Sequence, residues 1–76
     1  MITEIHFLNN DGMMPKVAIY TLPPKKALVC AIMQHVHKDY NTNSYPEEIS
    51  GMWAGQNGSW YYDNGDCILG AFVKED

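Results

Sequence analysis

The chain contains no arginine, and all five of its Lys and Arg positions are lysines. Arginine is the side chain best suited to binding phosphate groups through two hydrogen bonds at once. The formal net charge is −4, whereas proteins that bind duplex nucleic acids neutralise phosphates with cations. Both features argue against direct recognition of nucleic acid and against a phosphoryl-transfer site.

Cysteines and long apolar runs are also scarce. Two cysteines, Cys30 and Cys67, are too few for a disulfide framework. We therefore predict free thiols in a reducing, cytoplasmic compartment. No stretch approaches the roughly 18 apolar residues of a membrane-spanning helix. Residues 1–8 lack the basic segment and long apolar core of a secretory signal, so we expect none.

The 76 residues read as a single small α+β domain, because no repeat, linker or low-complexity segment divides residues 1–76. A chain of this length buries only about 60% of the surface that it exposes when unfolded. Its margin of stability is therefore thin, and a partner or a second copy would add to it.

Hydrophobic periodicity predicts a four-stranded antiparallel sheet, in the order ββαββ, with one amphipathic helix packed on one face. The other face of such a sheet stays uncovered. Residues 52–54 have the character of a short strand but are not counted in this sheet. The predicted strands are residues 2–8, 16–21, 59–62 and 67–73, and the predicted helix is residues 24–40.

The first hairpin has a register that can be argued from its apolar residues. Pairing Ile5 with Ile19 and Phe7 with Val17 places four apolar side chains on one face. A slip by one residue would set Ile5 against Ala18 and mix the two faces. We therefore expect the first pairing.

The helix and the second hairpin follow from spacing and turn chemistry. An Asn-Gly pair at residues 64–65 predicts a two-residue turn that pairs Tyr62 with Cys67 and sets Asp63 opposite Asp66. Asn41 is a suitable left-handed residue to end the helix. The apolar stripe of the helix comprises Leu28, Val29, Ile32, Met33, Val36 and Tyr40.

Residues 45–66 are the most informative segment, because they hold five aromatic residues, four acids, four glycines and no cation. Large rings give contact area at low entropic cost, and they are enriched in protein interfaces. Charge is also uneven, with a net of +2 over residues 1–38 and −6 over residues 39–76. An acidic, aromatic surface of this kind favours a basic protein partner.

We therefore predict a small acidic protein-binding module that is not an enzyme. It would be an inhibitor or adaptor of the kind that phages and mobile elements encode. The acids would occupy the basic surface of a larger host protein that handles nucleic acid. The predicted partner-binding residues are Tyr45, Glu47, Glu48, Trp53, Trp60, Tyr61, Asp63 and Asp66.

The uncovered sheet face is expected to carry His6, Tyr20 and either Trp60 or Tyr61. Only one of the last two can lie there, because neighbouring residues of a strand face opposite ways. At least two of the five aromatic residues of the segment should be substantially exposed.

Two other functions remain open. One is a structural homodimer formed through sheet edges or through the uncovered face. The other is a thiol-dependent enzyme using Cys30, His37 and Cys67, although Cys30 and His37 would be about 10 Å apart along a helix. No cofactor or metal site is predicted, and no motif in the sequence identifies a family.

Overall fold

The computed structural model describes residues 1–8, 16–39 and 41–74. Within these residues the chain forms five strands and one α-helix. Helix α1 (Pro24–Ala31) lies between the second and third strands in the chain. The strands are β1 (Ile2–Phe7), β2 (Val17–Tyr20), β3 (Met52–Ala54), β4 (Trp60–Asp63) and β5 (Ile68–Lys74).

All five strands form one antiparallel sheet with the spatial order β2-β1-β5-β4-β3. The predicted four-stranded sheet in the order ββαββ is therefore wrong, since the chain order is ββαβββ. The difference is β3, whose three residues are too few for an alternating apolar pattern to identify. Pairing with β4 makes it a strand, and Met52 lies opposite Tyr62.

The hydrophobic core lies between α1 and one face of the sheet. Alternate residues of the central strands point into it, among them Ile5, Tyr62 and Leu69, and all three are buried. Leu28 and Ile32 are fully buried on the helix side. We call the opposite face of the sheet, which α1 does not cover, the open face.

The helical segment is shorter than residues 24–40. After α1, a single π-helical turn spans Ile32–Val36, with the His37 N–H donating to the carbonyl of Ile32 at 2.9 Å. Lys38 then takes the left-handed conformation, with φ of 60°, three residues before the expected stop at Asn41. The last residue of the predicted apolar stripe, Tyr40, lies outside the described residues.

The first hairpin has a different register from the predicted one. Ile5 is opposite Ala18, and Val17 is opposite His6. The predicted pairings of Ile5 with Ile19 and of Val17 with Phe7 are therefore wrong by one residue. Val17 and Ile19 consequently lie on the open face.

The helical layer explains this register, because it contains a hydrogen-bond partner for Tyr20 that the two strands alone do not provide. Tyr20 faces the helical layer, where its hydroxyl donates at 2.9 Å to Oε1 of Gln34 in the π-helical turn that follows α1. Burial raises the pKa of Tyr20 to about 12. The expectation that Tyr20 lies on the open face is therefore wrong.

The second hairpin is present, but its turn is displaced by one residue. Tyr62 lies opposite Leu69 instead of Cys67. The side chain of Asn64 explains the shift, because its Oδ1 accepts from the N–H groups of Asp66 at 2.8 Å and of Cys67 at 2.7 Å. Such a side-chain turn places Gly65 and Asp66 at the tip.

Candidate functional site

Four rings form a continuous row across the open face. We call it the aromatic row, and it consists of His6 on β1, Phe72 on β5, Tyr61 on β4 and Trp53 on β3. The ring centroids are 5.1 Å apart for His6 and Phe72, 5.8 Å for Phe72 and Tyr61, and 5.7 Å for Tyr61 and Trp53. The first two contacts are edge-to-face and the third is stacked. Both geometries are favourable for aromatic pairs.

Two glycines allow the rings of the row to lie close to the backbone. A Cβ on Gly70 would lie 2.8 Å from the Phe72 ring and 3.4 Å from the Tyr61 ring. A Cβ on Gly55 would collide with the other edge of Tyr61. Tyr61 is thus held between two glycines, which fixes its ring before any partner binds.

Exposed apolar side chains lie at both ends of the open face. Trp53 is 49% exposed at the β3 end, and Val17 and Ile19 are 43% and 57% exposed at the β2 end. The open face is therefore an aromatic and aliphatic surface that spans all five strands. Contiguous apolar surface of this kind marks interaction sites in soluble proteins.

A carboxylate with two neighbours lies beside the row. Glu4 Oε1 is 3.1 Å from His6 Nε2, and Glu4 Oε2 is 3.3 Å from Lys74 Nζ. Hydrogen bonds, first from His6 and then from Lys74, hold the pKa of Glu4 below its ordinary value of 4.5. The Glu4 carboxylate thus orients the His6 ring at one end of the row.

Acidification is expected to lower the stability of the chain through Glu4. A carboxyl group whose pKa is lowered by folding contributes stability above its unfolded pKa, and this is lost as pH falls through the folded value. The free energy of unfolding should therefore decrease as the pH is lowered below about 4.5. Glu4→Gln should remove part of this decrease. Denaturant unfolding measured from neutral pH downward tests this.

Lys74→Met provides a graded comparison, because it removes one of the two groups that hold the carboxylate. It should reduce the acid dependence less than Glu4→Gln does. The same dependence of unfolding free energy on pH in the parent and in Glu4→Gln would contradict the assignment.

The predicted partner-binding residues divide between the two sides of the sheet. Trp53, Tyr61 and Asp63 lie on the open face, since each faces away from α1. Asp66 lies at the exposed tip of the β4–β5 turn. The question of which neighbouring ring faces outward is thereby answered, because Trp60 points toward the helix side.

The other four predicted residues lie on the helix side, where two of them, Tyr45 and Glu47, line a groove with a volume of about 540 Å³. Lys25 lies at its rim, with Nζ 2.9 Å from Glu48 Oε1 and 5.0 Å from the centroid of the Trp60 ring. Glu48 is thus paired with a lysine of the same chain, which reduces its availability to a basic partner.

The carboxylate of Asp63 has a structural role in the turn. Asp63 Oδ1 accepts from the N–H of Gly65 at 2.8 Å. Asp63 pairs with Ile68 in the strand, so the prediction that it faces Asp66 is wrong. Among the described residues, no group of three or more histidine, cysteine, aspartate or glutamate side chains could hold a metal ion.

The thiols lie on different elements. Cys30 lies on α1 beside the helix-side groove, and burial raises its pKa, which favours the neutral thiol over the nucleophilic thiolate. Cys67 is half-buried at the β4–β5 turn. His37 is exposed after the π-helical turn. Among the described residues, the Cys30 sulfur has no hydrogen bond or ion pair that would activate it.

Sequence reasoning missed Phe72, which is the centre of the aromatic row. Its signal was the alternation of Gly70 and Phe72 along β5, because a strand with glycine two residues before an aromatic residue allows the ring to fold over the glycine. Glu4 was also missed, since its partner Lys74 lies at the far end of the chain.

Comparisons with known proteins give no relative for this chain: no protein-family model matches it, and neither a curated protein nor a solved structure is similar to it. None of the helices in the described ranges has the length and apolar character needed to cross a bilayer. The fold and the open face therefore carry the functional argument.

Proposed function

We propose that this chain is a protein-binding module without catalytic activity, which docks its open face on a larger protein. The observation that carries this proposal is the aromatic row. Four rings in mutual contact, supported by glycines and bordered by exposed aliphatic side chains, have the composition of an interface hot spot. Because the rings are fixed by their neighbours, little side-chain entropy is lost on binding.

The partner surface that fits is apolar at its centre and cationic around it. Residues 39–76, which include β3, β4 and β5, carry a net charge of −6. Asp63 lies on the open face of this chain, and Asp66 lies at the adjoining turn. A ring of lysine or arginine side chains on the partner would complement them and accelerate association.

An inhibitor or adaptor is the form of this function that suits so small a chain. If the partner handles nucleic acid, the acids would cover part of its phosphate-binding surface. A reducing compartment such as the cytoplasm belongs to the same proposal, because two cysteines are too few for a disulfide framework.

Exposed rings on a sheet are also the geometry of platforms that stack single-stranded nucleic acid. Such platforms combine the rings with a cationic groove. On the described part of the open face the one lysine is Lys74, and Glu4 already pairs with it. The charge of this face therefore favours a protein partner.

The test begins with capture by the tagged chain from its native cells and identification by mass spectrometry, followed by titration of the purified partner. Trp53→Ala should weaken binding at least tenfold, because interface hot spots contribute about 2 kcal/mol or more. Trp60→Phe is the matched control on the helix side and should bind as the parent does. Short oligonucleotides at low salt should leave the tryptophan fluorescence unchanged.

Charge variants separate the two sides of the sheet. Asp63→Asn with Asp66→Asn should weaken binding and reduce its salt dependence, whereas Glu47→Gln with Glu48→Gln should change both less. If Trp53→Ala binds with the affinity of the parent and the variant with Glu47→Gln and Glu48→Gln loses binding, the binding site is the helix-side groove. Salt-sensitive quenching by oligonucleotides would favour a nucleic-acid platform. Either result would overturn the proposal.

A further inference from the structure

Strand β2 is an edge of the sheet, and among the described residues no strand pairs with its outer side. The N–H of Phe7 donates to the carbonyl of Lys16 at 3.1 Å, so the backbone N–H and C=O groups of Lys16 point toward β1. Backbone direction alternates along an antiparallel strand. Val17 and Ile19 therefore direct their N–H and C=O groups away from the sheet.

Apart from its length of four residues, strand β2 lacks the usual protection of an edge against pairing. Residues 17–20 include neither proline nor a charged side chain, and Val17 and Ile19 are both exposed. Natural edges are generally blunted by lysine, by proline, by bulges or by short length. An edge strand without proline or charge is suited to pairing with another strand.

The other edge of the sheet is protected. Strand β3 has only three residues. The outward N–H of Met52 is already bonded to the carbonyl of Ile49 at 3.2 Å. Little of that backbone is left for a partner, so the two edges are not equivalent.

We propose that β2 pairs antiparallel with β2 of a second copy, with Ala18 on the two-fold axis. Val17 then lies opposite Ile19 of the other copy, and the outward groups of both residues form hydrogen-bonded pairs. Lys16 lies opposite Tyr20. The alternative centre at Ile19 would need Thr21, which lies beyond the end of β2.

The charges of the chain favour a second copy at this edge over a second copy at the other edge of the sheet. The acids Asp63 and Asp66 lie on the β4–β5 side, and β2 is at the opposite end of the strand order. Pairing through β2 keeps the acidic ends of the two copies as far apart as the sheet allows. Pairing through β3, at the other edge of the sheet, would bring Asp63 and Asp66 of the two copies closer together.

The helix does not obstruct this arrangement. Helix α1 packs chiefly on β1, β4 and β5, so β2 lies at the margin of the helical layer. Because directly opposite residues share a face, both helices lie on the same side of a continuous ten-stranded sheet. Val17 and Ile19 of both copies form an aliphatic cluster on the open face, between two aromatic rows. This inference does not depend on the proposed partner.

Sedimentation equilibrium of the full chain across micromolar concentrations tests the dimer. The parent should approach twice its monomer mass of 8.6 kDa. Ile19→Pro removes an outward N–H without removing a bond to β1, and it should give a monomer. Ile19→Val keeps the N–H and the branched apolar side chain, so it should remain dimeric. Val17→Lys, which keeps the backbone intact, should raise the dissociation constant at least tenfold.

Crosslinking tests the register. In a Cys30→Ser, Cys67→Ser background, Ala18→Cys should oxidise to a covalent dimer, because the two Cα atoms would be about 4.5 Å apart. Ile19→Cys should not, since its copies would be diagonal neighbours about 7–8 Å apart. The proposal would be overturned if the parent stayed monomeric at high micromolar concentration. It would also be overturned if Val17→Lys and a folded Ile19→Pro variant dimerised as strongly as the parent. Crosslinking through Ile19→Cys alone would overturn the Ala18-centred pairing.

Discussion

Leu69→Ala is expected to lower the free energy of unfolding by about 2–5 kcal/mol, the range measured when buried leucines are truncated. Leu69 is completely buried. It lies on the central strand β5 with Phe7 on one side and Tyr62 on the other, facing α1. The neighbouring strands are fixed by their ladders, so the structure can collapse only partly into the space left behind.

The size of the effect is large for this chain. A 76-residue domain has a total stability of roughly 4–11 kcal/mol by the usual scaling with length. Loss of one core leucine would therefore remove much of the stability, and part of the population would unfold at physiological temperature. Urea unfolding followed by circular dichroism measures the change.

Leu8→Ala is the matched control, since the chemical change is the same and Leu8 is 57% exposed. It should change the free energy of unfolding by no more than about 0.5 kcal/mol. Similar losses in the two variants would show that the core does not lie between α1 and the face that carries Leu69.

Gly51→Ala is expected to destabilise the chain by about 2–5 kcal/mol, which combines a backbone and a steric cost. Gly51 has φ of 101°, a conformation that residues with a Cβ rarely adopt. A Cβ at this position would also lie 2.9 Å from the carbonyl oxygen of Asp63. The Asp63 N–H donates to the carbonyl of Gly51 at 3.2 Å, so the two backbones cannot separate without breaking the start of the β3–β4 pairing.

Gly65→Ala separates these two costs. Gly65 also has a positive φ, of 92°, but a Cβ there would meet nothing within 4 Å. Its substitution should cost only the backbone term, about 1–2 kcal/mol. Thermal unfolding of both variants measures the difference, and an effect at Gly51 no larger than at Gly65 would contradict the close approach of β3 and β4.

Local patterns in the sequence predicted the presence of the first two strands, the helix and the second hairpin. They did not predict register, because register depends on groups outside the pair of strands. Tyr20 faces inward because Gln34 on the following helical segment accepts its hydroxyl. The second hairpin shifts because the Asn64 side chain accepts hydrogen bonds from the backbone N–H groups of Asp66 and Cys67.

The candidate site was predictable in composition and only partly in arrangement. The richness of residues 45–66 in rings was visible, and Trp53 and Tyr61 do lie together. Trp60 and Tyr45 lie on the other side of the sheet, because alternation along β4 and the path of residues 45–49 separate them. His6 and Phe72 complete the row from segments that no scan of residues 45–66 would include.

The order of the strands has a consequence for how the aromatic row comes into being. Its members stand at positions 6, 53, 61 and 72 of the chain, so the row runs across the strands and no continuous stretch contains it. A synthetic peptide covering residues 45–66 would carry two of the four rings without the β1 and β5 backbone that aligns them. The surface is thus a conformational epitope, which forms only when the two ends of the chain meet in the centre of the sheet and disappears as soon as they part.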